Sequence, residues 1–298
     1  SLVFYLLGNG GGFMNEAVDI ADEFLDGDKL IVYTEGVNSK KREYRCKRPG
    51  LFESGKLVLL VNETSASASE VLAGALQDWC RATIVGRRTF GKGLVQEQYQ
   101  LRDGSAIRLT IARYYTPLGR SIQRSYEKGK KVYMDDLWER FNNGELVSED
   151  SMKNHNSKNF TTNCNDTLYG GGGISPSVFI PVDTSRAQHQ ANRMAVTVNV
   201  SNYVYNYYLQ HKSEVEKYKT ATDFATGFIQ NDQLWNGLIQ YTVSDSIKPG
   251  SLAGKEKELV LQQLKALLAR YRWRNSGFYQ VLNSGDAMVL KALEEVKK

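Results

Sequence analysis

The segment that decides the fold is residues 57–79, LVLLVNETSASASEVLAGALQDW. Its first five residues are all apolar and predict a short buried strand. From Ala68 onward, apolar residues recur at helical spacing, namely Val71, Leu72, Ala75, Leu76 and Trp79. Ser67 is therefore predicted to lie where a strand gives way to a helix, beside free backbone N–H groups and the positive end of the helix dipole. An alkoxide or an oxyanion is stabilised at such a position.

A second informative stretch, Phe90-Gly91-Lys92-Gly93, follows this helix. Glycines let the backbone pack tightly around a lysine stem, and removal from water favours the neutral form of a lysine. A neutral amine within hydrogen-bond reach of Ser67 can act as a general base. If one strand ran through both residues, Gln96 would share a face with Lys92, and its amide could orient the lysine.

Both residues also have plainer interpretations. Most serines before a helix are caps, and a lysine between two glycines is usually a surface residue in a turn. A phosphate-binding loop is disfavoured because Gly93 and a strand-like run follow Lys92, where that loop needs Ser or Thr and then a helix. The Ser-x-x-Lys that starts at Ser125 lies in a polar stretch with no helix start. A Ser-His-Asp triad is disfavoured because all three histidines lie outside these motifs, at His155, His189 and His211.

Together these motifs closely resemble those of the carboxyl-terminal processing (tail-specific) serine proteases. The resemblance is carried by residues 62–70 and 86–96, and three further segments agree with it in order, at 8–22, 103–123 and 172–178. It covers roughly residues 2–183. The resemblance implies an α/β fold with a crotonase- and ClpP-like ββα core, followed here by a mainly helical C-terminal region.

The resemblance also implies the roles of individual residues. Ser67 would be the nucleophile, Lys92 the general base and Gln96 its orienting partner. The backbone N–H groups of Gly11 and Ala68 would form the oxyanion hole. The implied reaction is hydrolysis of a peptide bond near the C-terminus of a protein substrate through an acyl-enzyme on Ser67. It needs no metal and no cofactor.

The chain departs from the family pattern at Tyr5 and Leu7, where family members usually carry an aspartate and an arginine before the glycine-rich loop, here residues 8–12 (the glycine loop). Members usually also have a peptide-binding PDZ domain before that loop. The resemblance therefore implies a PDZ domain in the full-length protein and an extracytoplasmic location, periplasmic or associated with the envelope. Asp78, late on the predicted helix, is interpreted as structural.

Two rival functions come from other classes of protein. A crotonase-like acyl-thioester enzyme is disfavoured because its chemistry uses oxyanion amides and carboxylates and does not need Ser67 paired with Lys92. A catalytically inactive binding or assembly module is the second rival. It stays open because the changes at Tyr5 and Leu7, and the lack of the part that precedes the glycine loop in the family, could leave the site unformed.

The composition agrees with a globular enzyme core. The 298 residues are 41% hydrophobic, which is enough for one or two domains with a sizeable core. The formal net charge is a mild +5, and the densest basic stretch, residues 40–48, is interpreted as a solvated hairpin, so no nucleic-acid partner is expected. No apolar run is long enough to predict a membrane span. Cys80 is predicted to be a buried free thiol, whereas Cys46 and Cys164 could pair in an oxidising compartment.

We predict a protease core at residues 1–185 and a helical C-terminal region at 186–298, through which the chain could form a homo-oligomer. A polar stretch at about 128–169 is predicted to be a long insertion or flexible loop. Strands are predicted at about 30–34, 57–62, 82–88, 94–100 and 105–115, and helices at about 15–26, 68–80, 255–272 and 286–298.

Overall fold

The computed structural model describes residues 1–152, 158–185, 198–242 and 249–298. The chain divides into two compact units, Ser1–Val182 with Lys291–Lys298, and Asp183–Leu290. Each unit has its own cluster of buried apolar side chains. The proposal of two domains that meet near residue 185 stays a prediction. His155 and His189 lie outside the described residues.

Up to Val182, the described part of the first unit contains ten strands and three α-helices. The strands are β1 (Leu2–Tyr5), β2 (Leu30–Glu35), β3 (Arg42–Arg45), β4 (Leu57–Val61), β5 (Thr83–Gly86), β6 (Leu94–Gln100), β7 (Ala106–Tyr115), β8 (Asn159–Thr161), β9 (Thr167–Tyr169) and β10 (Val178–Phe179). The helices are α1 (Met14–Asp22), α2 (Ala68–Asp78) and α3 (Gly129–Asn142). The strands and helices predicted before residue 116 are confirmed, with small shifts at their ends.

A parallel sheet with the strand order β1-β4-β5-β10 forms the centre of this unit. All five residues of β4 are buried, as expected for a parallel strand that is covered on both faces, and this explains its unbroken apolar run. Helices α1 and α2 contact each other. The fully buried side chains of this core include Ala21, Leu59, Leu72, Leu76, Ile84 and Ile174.

A second, antiparallel sheet has the strand order β3-β2-β7-β6. Strand β6 lies at its edge and forms a hairpin with β7. Beyond Gln96 both strands of this hairpin are exposed. The exposed side chains include four large apolar ones, Tyr99, Leu101, Ile107 and Leu109.

The stretch at about 128–169 contains regular structure in its described part, so the flexible-loop alternative was wrong there, whereas the alternative of a long insertion stays a prediction. Helix α3 and the antiparallel hairpin of β8 and β9 occupy most of it. Helix α3 was missed because it buries only two residues, Tyr133 and Arg140, and so carries little apolar periodicity. Asn154 and Asn156, part of the polar composition of this stretch, lie outside the described residues.

The second unit is helical. Its helices are α4 (Val198–Gln210), α5 (Lys212–Glu216), α6 (Ala221–Gly227), α7 (Asn231–Tyr241) and α8 (Lys255–Leu282), and α9 (Ala287–Glu295) follows. Trp273 and Arg274 have non-helical backbone angles, so α8 consists of two segments joined at a kink. Fully buried side chains form its core, including Val204, Phe224, Leu234, Leu238, Leu264 and Leu268. The predicted α/β class with a mainly helical C-terminal region is confirmed.

Among the described helices, none combines the length and the apolar character that a bilayer crossing requires.

Candidate active site

Ser67 lies at the junction between β4 and α2, where the sequence predicts it. Its φ angle of 58° is in the left-handed region, which is strained for a residue with a Cβ, and such strained residues cluster at functional sites. The two neighbouring serines fix the loop. The Ser65 hydroxyl donates to Leu6 O at 2.8 Å, and the Ser69 hydroxyl donates to Asn9 O at 3.1 Å. Both hydroxyls are therefore committed to backbone carbonyls, while Ser67 is partly exposed at the end of the helix.

Glu70 joins the serine loop, residues 62–67 between β4 and α2, to the lysine loop, residues 87–93 between β5 and β6. Its side chain is fully buried, and its Oε2 atom accepts hydrogen bonds from the backbone N–H groups of both Ser67, at 2.9 Å, and Lys92, at 2.8 Å. Its Oε1 atom accepts from the Gly91 N–H at 2.6 Å and from the Thr89 hydroxyl at 2.5 Å. The amide nitrogens of Ser67 and Lys92 are therefore separated by no more than two hydrogen-bond lengths.

Glu70 has no role among the residues predicted from the sequence, although its sequence context carries a signal. The spacing Ser67-x-x-Glu70 is a capping-box signature, in which a glutamate returns to the N–H of the cap residue. The second half of its role, the contacts with residues 89–92, is tertiary and leaves no local mark in the sequence. Burial, which outweighs these hydrogen bonds, raises the pKa of the Glu70 carboxyl.

The Lys92 side chain is exposed, contrary to the burial that a general base of this kind is expected to need. The loop around it is nevertheless firmly held, since the neighbouring Gly93 N–H donates to Gln123 Oε1 at 2.8 Å. Strand β6 begins only at Leu94, so the alternation argument that links Lys92 with Gln96 does not hold, because Lys92 precedes the strand. Gln96 is exposed near the start of the edge strand.

The glycine loop approaches Ser67 closely at Gly11. A Cβ atom at Gly11 would lie 2.4 Å from Ala66 O and 2.6 Å from Ala68 N, and the Gly11 φ of +82° also favours glycine. Ala68 is the first residue of α2, and the N–H of a first helical residue is not used within the helix. The Gly11 N–H donates to Asn9 Oδ1 at 2.9 Å. It could serve an oxyanion only after that bond opens.

Asp78 is fixed in a buried ion pair. Its Oδ1 atom accepts from Arg120 Nε at 2.9 Å and from Nη2 at 2.5 Å, and its Oδ2 atom accepts from the Leu118 N–H at 2.8 Å. Both charged side chains are almost completely buried. The pair connects the end of α2 to the segment that follows β7, which accords with the structural role that we assign to Asp78.

The predicted cysteine chemistry was wrong. Cys80, which follows α2, forms a disulfide with Cys164, which lies between β8 and β9. Cys46 is the buried free thiol, and burial raises its pKa to about 11. The prediction failed because pairing depends on which chain segments the fold brings together, and the polar segment around Cys164 carries no pattern that predicts its structure.

Comparison with known proteins supports the assignment of this site to a family. Residues 1–129 match the family model described as "Peptidase family S41". Similar curated proteins include carboxyl-terminal-processing peptidase 3 of Arabidopsis thaliana, 47% identical over 39% of this chain and 22% of that protein. The carboxyl-terminal-processing protease of Picosynechococcus sp. is 40% identical over 41% of this chain and 29% of that protein. The resemblance inferred from the motifs is therefore confirmed for this part of the chain.

The chain spans only about a quarter of the length of these curated relatives. A solved structure of a photosystem II D1 C-terminal processing protease is 30% identical, with a TM-score of 0.42 over 60% of this chain and 34% of that one. Residues 191–274 match a model described as "Family of unknown function (DUF8443)".

Proposed function

We propose, from the peptidase family S41 match over residues 1–129, that this chain carries the active site of a serine endopeptidase that acts near the C-termini of protein substrates. Ser67 is the nucleophile and forms the acyl-enzyme, Lys92 is the general base, and Gln96 orients the lysine. Ala68 and Gly11 donate to the oxyanion. The observation that carries the proposal is the single oxygen of Glu70 that accepts from both the Ser67 and the Lys92 N–H groups.

In this mechanism the peptide itself completes the site. A peptide lying over Ser67 would exclude water from Lys92, whose side chain is exposed in the free chain, and so favour the neutral amine. The neutral amine takes the hydroxyl proton as Ser67 attacks the carbonyl carbon. It then returns this proton to the leaving amine, and water releases the acyl group by the reverse sequence. Helix α2 contributes its positive end to the developing oxyanion.

The whole protein's surroundings belong to the same proposal. We expect a PDZ domain in the full-length protein to capture substrate C-termini, and the helical unit to offer a surface for homo-oligomers. An extracytoplasmic location, periplasmic or at the envelope, is supported by the Cys80–Cys164 disulfide, because such bonds persist mainly in oxidising compartments.

Labelling with a fluorophosphonate probe tests the proposal, with the modified residue identified by mass spectrometry. The probe should modify Ser67, and labelling should be lost in Ser67→Ala. Lys92→Arg should also lose labelling, because a guanidinium stays protonated. Lys56→Arg, which changes an exposed lysine outside the site, is the matched control. Normal labelling of Lys92→Arg would exclude the general-base role.

Two observations favour a second candidate, a catalytically inactive binding or assembly module. The Lys92 side chain is exposed, and the Gly11 N–H is already bound to Asn9. Both features fit a site that is not poised for catalysis. This candidate predicts that Ser67 stays unlabelled in the wild-type chain and that the chain hydrolyses no peptide, so labelling together with a peptide-hydrolysis assay separates the two functions.

A further inference from the structure

A cavity of about 540 Å³ lies in the first unit beside the lysine loop. Helix α3 and the glycine run at residues 170–173 form part of its wall, together with three arginines, Arg88, Arg124 and Arg140. We call it the arginine cavity. It adjoins the lysine loop directly, because the Arg124 N–H donates to Gly91 O at 3.0 Å and a Cβ atom at Gly91 would lie 2.4 Å from Arg124 Cγ.

Arg124 is the most unusual side chain of this cavity. It is only 6% exposed, and its guanidinium carbon lies 4.1 Å from the ring centre of Phe90 and 4.3 Å from that of Tyr133. Its Nη1 atom donates to the carboxylate of Asp136 on α3. Its Nε and Nη2 atoms have no hydrogen-bond partner among the described residues. These two atoms form one edge of the guanidinium, which matches the two oxygens of a carboxylate.

The buried charges around Arg124 favour an anion. Arg88 and Arg140 share a single carboxylate, Glu145, through bonds of 2.7 to 2.8 Å. A buried guanidinium, Arg140, and a partly buried one, Arg88, thus face one carboxylate. Burial together with the charge of Arg88 lowers the pKa of Arg140 to about 10. The remaining charged residues of the wall are exposed and screened by water, namely Glu127, Lys128 and Glu139.

We propose that the arginine cavity binds a carboxylate of the peptide substrate, and that Arg124 recognises this carboxylate. The carboxylate belongs either to an acidic side chain or to the substrate C-terminus. Asp136 occupies part of the same guanidinium, and its side chain is 29% exposed. The Nε and Nη2 atoms are shielded from solvent in the free chain. The incoming carboxylate displaces Asp136 from Nη1, which frees the guanidinium to turn toward the cavity and offer the Nε and Nη2 donors that Asp136 leaves unused. The identification of the ligand as a peptide rests on the proposed function.

Binding can be measured without catalysis, by fluorescence anisotropy of labelled peptides on the Ser67→Ala chain. The peptides of one set have an amidated C-terminus and a single charged residue, a glutamate, which is placed at a different one of eight positions in each peptide. The peptides of the matched set have glutamine in place of that glutamate. A third, neutral peptide has a free C-terminal carboxylate. We expect the best glutamate position or the free carboxylate to bind about tenfold more tightly than its neutral match, and this preference to fall as salt is added.

Variants of opposite expected sign make the test specific. Arg124→Gln should abolish the preference for a carboxylate, and Arg124→Lys, which keeps the charge but not the planar fork, should reduce it. Asp136→Asn should tighten binding about fivefold, because it removes the competing carboxylate. Asp135→Asn makes the same charge change at an exposed neighbour on α3 and should stay within about twofold of the parent.

Loss of structure cannot produce the tighter binding expected of Asp136→Asn, so this variant keeps the proposal testable even if Arg124→Gln fails to fold. Equal binding of all charged and neutral peptides would overturn the proposal, as would an unchanged affinity of Asp136→Asn or an intact preference in folded Arg124→Gln. Peptide binding is measured on Ser67→Ala and does not depend on fluorophosphonate labelling. A failure of the peptidase assignment in the labelling experiment can therefore be told apart from a failure of the carboxylate proposal. The glutamate and free-carboxylate peptides distinguish the two sources of the ligand.

Discussion

Replacing Glu70 with glutamine tests whether one buried carboxylate holds the serine and lysine loops together. Its two oxygens accept four hydrogen bonds, two from the Ser67 and Lys92 N–H groups and two from Thr89 and Gly91. A carboxamide keeps one oxygen and turns an NH₂ group toward the other pair of donors. At least one buried N–H then loses its acceptor, at about 1–3 kcal/mol, and the surviving bonds lose their charge assistance. We expect the free energy of unfolding to fall by about 2–4 kcal/mol.

Urea unfolding followed by circular dichroism measures this loss, and fluorophosphonate labelling of the folded variant reports on the site. Labelling should slow by more than about tenfold, because the N–H groups of Ser67 and Lys92 no longer share one acceptor. Glu16→Gln is the matched control, since Glu16 is also the third residue of its helix but is exposed. It should change stability by less than about 0.5 kcal/mol. Equal effects of the two variants, or normal labelling of Glu70→Gln, would refute the reasoning.

Three further predictions concern separate features. Gly11→Ala should abolish labelling of Ser67, because its Cβ would collide with Ala66 O, whereas Gly10→Ala, with open space around it, should not. A thiol reagent at pH 8 should react with no cysteine in the native chain, with Cys46 alone in urea, and with all three cysteines after reduction in urea. A cysteine that reacts in the native chain would contradict the burial of Cys46 or the Cys80–Cys164 bond. Burial raises the pKa of the Glu145 carboxyl, but Arg88 and Arg140 outweigh burial and hold this pKa below its usual value. The Glu145 carboxylate therefore stabilises the fold above the unfolded-state pKa of about 4.3. This stabilisation is lost as the pH falls through the lower pKa of the folded state. In Glu145→Gln the free energy of unfolding, measured by urea unfolding, should therefore fall less steeply as the pH is lowered. An unchanged dependence on pH would count against the ion pairs of Glu145 with Arg88 and Arg140.

The elements around Ser67 could be predicted because their signals are local. An unbroken apolar run marks β4, and helical spacing of apolar residues marks α2. Helix α3 gave no such signal, because the two residues that it buries include a charged one, Arg140, whose guanidinium is satisfied by Glu145 and by backbone carbonyls. Burial of a charge inside a network is decided by tertiary contacts, and a periodicity analysis of the sequence counts such a residue as solvent-facing.

The site shows the same limit. The spacing of Ser67 and Lys92 led to the family, but the exposure of Lys92 and the bond between Gly11 and Asn9 depend on coordinates. Glu70 was visible in the sequence as a helix-start residue. The contacts of Glu70 with the lysine loop, 19 to 22 positions further along the chain, could not be predicted from the sequence.

The disulfide has a consequence for how cleavage of this chain would be detected. The bond joins positions 84 residues apart, and the exposed turn of the β6–β7 hairpin, at residues 101–105, lies inside the loop that it closes. A peptidase that cut this turn, whether another enzyme or a second copy of the chain itself, would leave two fragments tethered by sulfur. The nicked protein would migrate at full mass on a non-reducing gel and separate only after reduction, so self-cleavage at this turn would go unseen in any assay that omits a reductant.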